Sequence, residues 1–332
     1  MKIVVFNLRD DEKNLLEKWK KTHSDVEVDA YKESLKLDNV NLLKGADTVS
    51  LSTVSKIDNE VYYKLKDMGI SLISQRSAGF DMYNLDKLNE LSMTLINVPR
   101  YSPYAIAEYV VATAMYFTRN LNKIFKNVKK QDFSWDVSFL SKEMRTLTVG
   151  IVGTGNIGRE AGKLFKGLGA KIIGYDMYPS KEAKEILDYV SLDELYERSD
   201  VISFHVPATK DNFHMINDEA IYKMKDSAVL INAARGSIMD TKAVLKALDE
   251  NKLKGVALDV YENEFDLVKK DRSKEKLNDP IIEEIIKRDD IIYTPHIAFY
   301  TETALDNLLS FALDESINFL KTGNSNSIVN KR

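Results

Sequence analysis

Glycines stand at the first, third and sixth positions of Gly153-Thr154-Gly155-Asn156-Ile157-Gly158. The apolar strand pattern Leu147–Val152 leads into this run, a helical pattern follows it, and the next strand pattern ends at Asp176. Each part has a physical role. Gly153 permits a tight turn, Gly155 lets the backbone approach a pyrophosphate, and Gly158 lets a helix pack closely on its strand. The helical pattern Ile157–Leu168 that follows would offer free N–H groups and a positive dipole end to phosphates. Asp176 can accept both ribose hydroxyls and repels a 2′-phosphate, which predicts NAD rather than NADP as cofactor. A plain glycine-rich turn beside a solvent-facing Asp is the ordinary alternative, and the full strand, turn, helix, strand and acid order speaks against it.

A dinucleotide site needs a partner substrate, and open α/β sheets take ligands beyond the carboxyl ends of their strands. Three polar groups fall there. Arg235 follows the strand pattern Ala228–Asn232, Glu264 follows Gly255–Asp259, and His296 follows Ile291–Thr294. A cation, an acid and an imidazole at neighbouring strand ends exceed what composition alone would place. A surface ion pair for Arg235 and a structural buried ring for His296 are the ordinary alternatives. Glu262 stands two residues before Glu264, and spacing does not separate the two. His23 and His214 join no such constellation, and the scattered histidines predict no metal site.

The elements that must carry these groups follow a repeating rhythm of short β-branched runs and amphipathic stretches, which predicts parallel sheets covered on both faces. In a first unit the strand patterns are Ile3–Phe6, Val26–Ala30, Thr48–Leu51, Leu72–Ser74 and Leu95–Val98. A helix starts at Pro103 with Ser102 as its cap. The second unit adds Lys171–Tyr175, Tyr189–Ser191 and Val201–His205 to the strands already named, and 262–279 reads as a charged, strandless functional loop. The apolar face of a long helix runs from Leu305 to Leu320 and is expected to return to the first unit. The expected division is therefore a discontinuous domain of 1–100 plus 298–332 around a domain of 101–297.

Composition narrows the classes. The chain has 332 residues, 44% hydrophobic, and a net charge of −4 from 47 basic and 51 acidic side chains, which is ordinary globular usage without a basic excess for nucleic acid. Lys123, Lys126, Lys129 and Lys130 read as a solvated helix face. Cysteine is absent, which excludes disulfides, thiolate nucleophiles and Cys-ligated metals. No signal peptide or membrane-spanning stretch is seen, so a soluble cytoplasmic protein without membrane partners is expected.

Together Gly153–Gly158 with Asp176, the run 203–207 (SFHVP), Asn232–Gly236, Asp259–Glu264 and Thr294-Pro295-His296 resemble the D-2-hydroxyacid dehydrogenase family. The match extends to Arg76-Ser77-Ala78-Gly79-Phe80-Asp81 and to 97–103 (NVPRYSP), covers essentially the whole chain, and is closest to the D-lactate and D-2-hydroxyisocaproate dehydrogenase branch. The resemblance implies two doubly wound parallel-sheet α/β domains: a flavodoxin-like substrate domain and a Rossmann NAD domain, with the active site in the cleft between them and closure excluding water. It implies a catalytic set of Arg235, Glu264 and His296. Arg235 would clamp the substrate carboxylate and polarise the oxo group. His296 would donate the proton when a 2-oxo acid is reduced and accept it in reverse. Glu264 would hydrogen-bond the other ring nitrogen and favour the protonated form. Ala78 and Gly79 would add backbone N–H contacts to the carboxylate, with Tyr101 lining the pocket. Asn156 and Ile157 would lie at the pyrophosphate, Val206, Pro207 and Asn212 along the cofactor, and Ala233, Ala234, Arg235 and Asp259 near the nicotinamide. His205 would lie nearby without being the proton donor.

The resemblance also implies a homodimer through the NAD domain, with the helix from Pro103 as a candidate contact. The substrate's side chain is less defined. The loop 50–54 (SLSTV) should face the cleft, and a serine at 52 leaves room for an acid larger than pyruvate; Arg100 is compatible with an acidic one. Pyruvate is the first choice and 2-oxoisocaproate the second. A non-enzymatic NAD-sensing corepressor is the rival class, disfavoured by the presence of Arg235, Glu264 and His296. A phosphoglycerate or glycerate dehydrogenase would require a basic phosphate pocket or a regulatory domain after Arg332.

Overall fold

The structure is a computed structural model that describes residues 1–52 and 56–330. It divides into two compact units, Met1–Ser102 with Tyr300–Arg332, and Pro103–Phe299. Strands predicted from the sequence occur at nearly all of the observed positions.

In the first unit five parallel strands, β1 (Lys2–Val5), β2 (Glu27–Ala30), β3 (Thr48–Leu51), β4 (Leu72–Gln75) and β5 (Thr94–Ile96), lie in the order β2-β1-β3-β4-β5. Their near-continuous apolar runs suit a sheet covered on both faces, and β3, β4 and β5 are buried at every residue. The helix Glu302–Thr322 starts where the Thr301 side chain accepts the Ala304 N–H (3.3 Å) and ends at Gly323, whose φ of +70° suits a glycine. Its Leu309 and Leu313 pack with Ile3, Val5, Leu16 and Trp19, and the Trp19 indole N–H donates to Asp314 (2.7 Å). The C-terminal helix therefore closes the sheet begun by the first strand of the chain.

In the second unit seven parallel strands, β6 (Thr148–Val152), β7 (Lys171–Tyr175), β8 (Asp188–Tyr189), β9 (Val201–Phe204), β10 (Ala228–Asn232), β11 (Leu253–Leu258) and β12 (Ile291–Tyr293), run in the order β12-β11-β10-β9-β6-β7-β8. β6 pairs with both β7 and β9, so the strand order reverses beside it, which is the place where open α/β sheets take ligands. The strand predicted over 189–191 is shorter: Ser191 instead caps the helix Leu192–Arg198 by accepting the Glu194 N–H (3.2 Å).

The helix Pro103–Thr118 spends its apolar side chains inside this unit, where Ala107, Val110, Ala114 and Phe117 join the core. Gly255 on β11 makes room for it, since a Cβ there would lie 2.3 Å from the Phe117 ring. Lys126 pairs with Asp289 across the surface, as a solvated helix face does. No helix among the described residues is long and apolar enough to cross a membrane.

Candidate functional site

The cofactor side is built on the turn after β6. Gly153 takes a φ of +90°, and a Cβ there would lie 2.7 Å from the His205 backbone. Its N–H donates to Tyr175 O (2.8 Å), which ties the ends of β6 and β7 together. A Cβ on Gly158 would stand 2.0 Å from Gly153 O, so only glycine lets the helix Asn156–Gly167 start this close to the strand. Gly155 differs: a Cβ there meets nothing within 4 Å. No protein atom needs that glycine, and the open space lies where a pyrophosphate would approach the helix N-terminus. Asp176 reaches back over the turn, with Oδ2 accepting the Thr154 N–H (2.6 Å) and hydroxyl (3.1 Å) and Oδ1 accepting the Tyr178 N–H (2.8 Å). Asn156 and Ile157 open the helix, and Asn156 accepts from Arg159 (3.0 Å). Val206 and Pro207 follow β9; Asn212 folds that loop by accepting the Thr209 N–H (2.8 Å) and donating to Pro207 O (2.6 Å). The turn, the acid and this loop together fit NAD.

The reactive side comes from the ends of β10, β11 and β12. Asn232 accepts the Ala234 N–H (3.1 Å) and donates to Arg235 O (2.9 Å), which fixes the loop of Ala233, Ala234 and Arg235. The Arg235 Nη1 donates to Ala234 O (2.8 Å). At Gly236 a Cβ would lie 2.2 Å from the carbonyl carbon of Tyr261, so the Arg235 loop packs backbone to backbone on the loop that carries Glu264. Oε1 of Glu264 lies 2.8 Å from Nδ1 of His296, and its Oε2 accepts the Tyr261 N–H (3.0 Å).

Asp259 anchors the histidine loop. Its Oδ1 accepts the Thr294 hydroxyl (2.6 Å) and the Ile297 N–H (2.9 Å), its Oδ2 the Ala298 N–H (2.9 Å), and its carbonyl O the His296 N–H (2.8 Å). Burial pushes its carboxyl above the usual range against those donors. The anchor holds His296 in the left-handed region, at φ +57°, which costs a non-glycine residue about 1 kcal/mol or more. With Nδ1 held by Glu264, proton exchange with a ligand would run through Nε2. His205 bonds Ser203 Oγ (2.9 Å), and burial pulls its imidazole down to about 4, which favours the neutral ring at ordinary pH.

Two features escape the sequence. Glu262, inseparable from Glu264 by spacing, faces His214 and Thr241 instead of His296. The Asp259–Thr294 tie joins residues 35 apart, and nothing local signals it. In the first unit the Ala78–Gly79 turn is pinned by Asn97 donating to Ala78 O (2.7 Å) and Ser77 Oγ donating to Gly79 O (2.7 Å), while Tyr101 O accepts from Asn307 (2.5 Å). Ser52 is buried at the end of β3, and Thr53 and Val54 of the predicted specificity loop lie outside the described residues. Among the described residues no group of three His, Asp or Glu side chains could hold a metal ion.

Known proteins resemble the chain in sequence and fold. The model of the D-isomer specific 2-hydroxyacid dehydrogenase NAD-binding domain matches residues 111–298. A D-lactate dehydrogenase of Treponema pallidum is 46% identical over 97% of each chain, and a crystal structure of a D-lactate dehydrogenase from that organism superposes with a TM-score of 0.94 at 45% identity over the whole of both chains. The structure of a D-2-hydroxyisocaproate dehydrogenase gives 0.93 at 36% identity, again over the whole of both chains. An NAD-complexed D-isomer specific 2-hydroxyacid dehydrogenase of Lactobacillus delbrueckii ssp. bulgaricus gives 0.91 at 33% over 99% of this chain and 100% of that one.

Proposed function

The chain belongs to the D-isomer specific 2-hydroxyacid dehydrogenase family and is an NAD-dependent oxidoreductase, and from that premise we propose that it reduces pyruvate reversibly to D-lactate. The observation that carries this reading is the pairing of Glu264 with His296 at 2.8 Å, on loops adjoining the one that carries Arg235. Arg235 binds the substrate carboxylate in a bidentate fork and polarises the neighbouring oxo group. His296 gives its Nε2 proton to the oxo oxygen as the alcohol forms, and takes it back in the reverse direction. Glu264 fixes the ring and offsets the charge of the imidazolium. Bound NADH supplies the hydride. Asp259 keeps the His296 loop in place, and Asp176 reads the adenosine ribose. We assign further carboxylate contacts to the backbone N–H groups of Ala78 and Gly79, and a lining role to Tyr101. The corepressor class would need no proton donor held this way.

The choice of pyruvate follows the curated relatives, among them the Treponema pallidum enzyme; the small buried Ser52 keeps 2-oxoisocaproate as the second reading. Comparing kcat/KM with NADH across pyruvate, 2-oxobutyrate, 2-oxoisocaproate, phenylpyruvate and 2-oxoglutarate tests it. Pyruvate should rank first and give the D product; a preference of about tenfold or more for 2-oxoisocaproate, ~1.4 kcal/mol in the transition state, would overturn the assignment.

A homodimer is part of the same reading. Phe133, Trp135, Val137 and Leu140 are exposed apolar side chains, Trp135 completely, and with Ile124 they line a surface hollow of about 680 Å³. Monomeric proteins seldom leave such a cluster in water. This segment of the NAD domain joins the helix Pro103–Thr118 as a candidate contact; Ala107, Val110, Ala114 and Phe117 of that helix are taken up by the core, while its Tyr104 is exposed. Light scattering should give twice the chain mass for the wild type and the single mass for Trp135→Asp; a monomeric wild type would end the proposal.

A further inference from the structure

The carboxylate that does not reach His296 is held as firmly as the one that does. Oε1 of Glu262 lies 2.6 Å from Nε2 of His214, and its Oε2 accepts the backbone N–H (3.1 Å) and the hydroxyl (2.5 Å) of Thr241. His214 is itself locked. Its backbone is left-handed at φ +51°, its N–H donates to Ser237 O (3.0 Å), and its ring stacks on Phe213 with centroids 3.9 Å apart. The Asp240 carboxylate stands 4.0 Å from Nδ1. One side chain thus joins three segments: the loop after Asn212, the stretch that follows Arg235, and the turn 261–264.

Regular structure gives that turn little support. It leaves β11 with none until the short 3₁₀ turn Glu264–Asp266. Its start is tied by the Tyr261 hydroxyl, which donates to Asp279 (2.6 Å). Glu264 is joined to that start by its own N–H to Tyr261 O (3.2 Å) and by Oε2, and Asn263 Nδ2 donates to the Tyr261 hydroxyl (3.4 Å); these bonds stay within the turn, whereas Glu262 ties its middle to segments outside it. A hydrogen bond weakens steeply when its partners shift by much less than their separation, and a displacement of about 1 Å can cost a reaction on the order of a hundredfold.

We propose that Glu262, clamped by His214 and Thr241, is a positioning residue for the reaction: it holds the 261–264 turn so that Glu264 meets His296. The proposal rests on the roles given to Glu264 and His296 above. The clamp contributes geometry and touches no reacting atom. Glutamine at 262 can still accept from Thr241 and donate to a His214 nitrogen, so it should replace Glu262 far better than alanine.

The test is a mutant cycle in full-length protein, reading kcat and KM for pyruvate, the Kd of NADH by fluorescence, and Tm. Glu264→Ala should lower kcat. Glu262→Ala should lower kcat about tenfold, with KM and the NADH Kd within about twofold of wild type, and Glu262→Gln should recover most of the loss. Added to Glu264→Ala, Glu262→Ala should cost no further kcat, because the contact it serves is already gone. The same factor lost in both backgrounds, or no loss with Glu262→Ala alone, overturns the proposal while leaving the Glu264 assignment standing. Unchanged kcat in Glu264→Ala overturns that assignment and the proposal with it. Should Glu262→Ala not fold, His214→Ala, which opens the clamp from its more exposed side, is put through the same cycle with the same expected non-additivity.

Discussion

Nδ1 of His296 lies 2.8 Å from Oε1 of Glu264, although the two residues are 32 apart in sequence. Loops from neighbouring strands bring them together: Asp259 at the end of β11 anchors the His296 loop, and Glu264 follows from the same strand end. The contact separates Glu264 from Glu262, which the sequence leaves as equals.

If the contact orients the ring for proton transfer, replacing Glu264 by Gln should lower kcat for pyruvate reduction by roughly 10–100-fold. Glu264 lies on the far side of the imidazole from any proton acceptor, so the NADH Kd should not change. Stopped-flow single-turnover rates check that the loss sits in the chemical step. A kcat within about twofold of wild type would remove Glu264 from the mechanism.

The glycine turn makes a paired prediction. Valine at 155 has open space and an ordinary backbone (φ −66°), whereas valine at 158 drives a Cβ to within 2.0 Å of Gly153 O. Gly155→Val should therefore keep its Tm and lose NADH affinity by about tenfold or more. Gly158→Val should lose stability first. Tm and NADH titration of the two variants distinguish the cases, and equal effects of both on Tm would contradict the cradle assigned to Gly155.

In the first unit a buried ion pair holds the strand ends near the Ala78–Gly79 turn. The Arg76 guanidinium is 1% exposed and donates to Glu12 (3.2 Å), Ser50 O (3.0 Å) and Phe6 O (3.0 Å). Burial opposes ionisation of Glu12, but Arg76 and Arg9 more than offset it, so its carboxyl stays below the usual range. A lowered folded-state pKa means that the unfolded chain binds the proton first. The stabilisation is therefore present above the unfolded carboxyl value, about 4.3, and is lost as pH falls through the folded one. Glu12→Gln should cost roughly 3–5 kcal/mol at pH 7, because it leaves Arg76 buried without its counter-charge. The Tm gap to wild type should narrow below about pH 4. A gap that stays constant as the pH falls would show that Glu12 contributes no charge to the fold.

Much of this was legible in the sequence for identifiable reasons. Parallel strands buried on both faces, such as Val201–Phe204 and Ala228–Asn232, are apolar at nearly every position, and short runs of that kind are easily seen. The turn at Gly153–Gly158 is legible because Gly153 and Gly158 have no room for a Cβ. What stayed hidden depends on partners distant in the chain. Glu262 and Glu264 differ only in that one meets His214, 48 residues away, and the other His296. Phe133, Trp135, Val137 and Leu140 show neither helical nor sustained strand spacing with a core beneath them, so their shared exposure emerges only in three dimensions. Ser191 reads as the end of a strand by its neighbours and acts as a helix cap through one side-chain bond.

The central claim is that His296 is the proton donor, and the most direct test is steady-state reduction of pyruvate by His296→Gln at saturating NADH, with NADH binding measured in parallel. The account predicts that kcat falls by roughly 10²–10⁴-fold while the NADH Kd stays at the wild-type value. Near-normal turnover with unchanged NADH binding would contradict it.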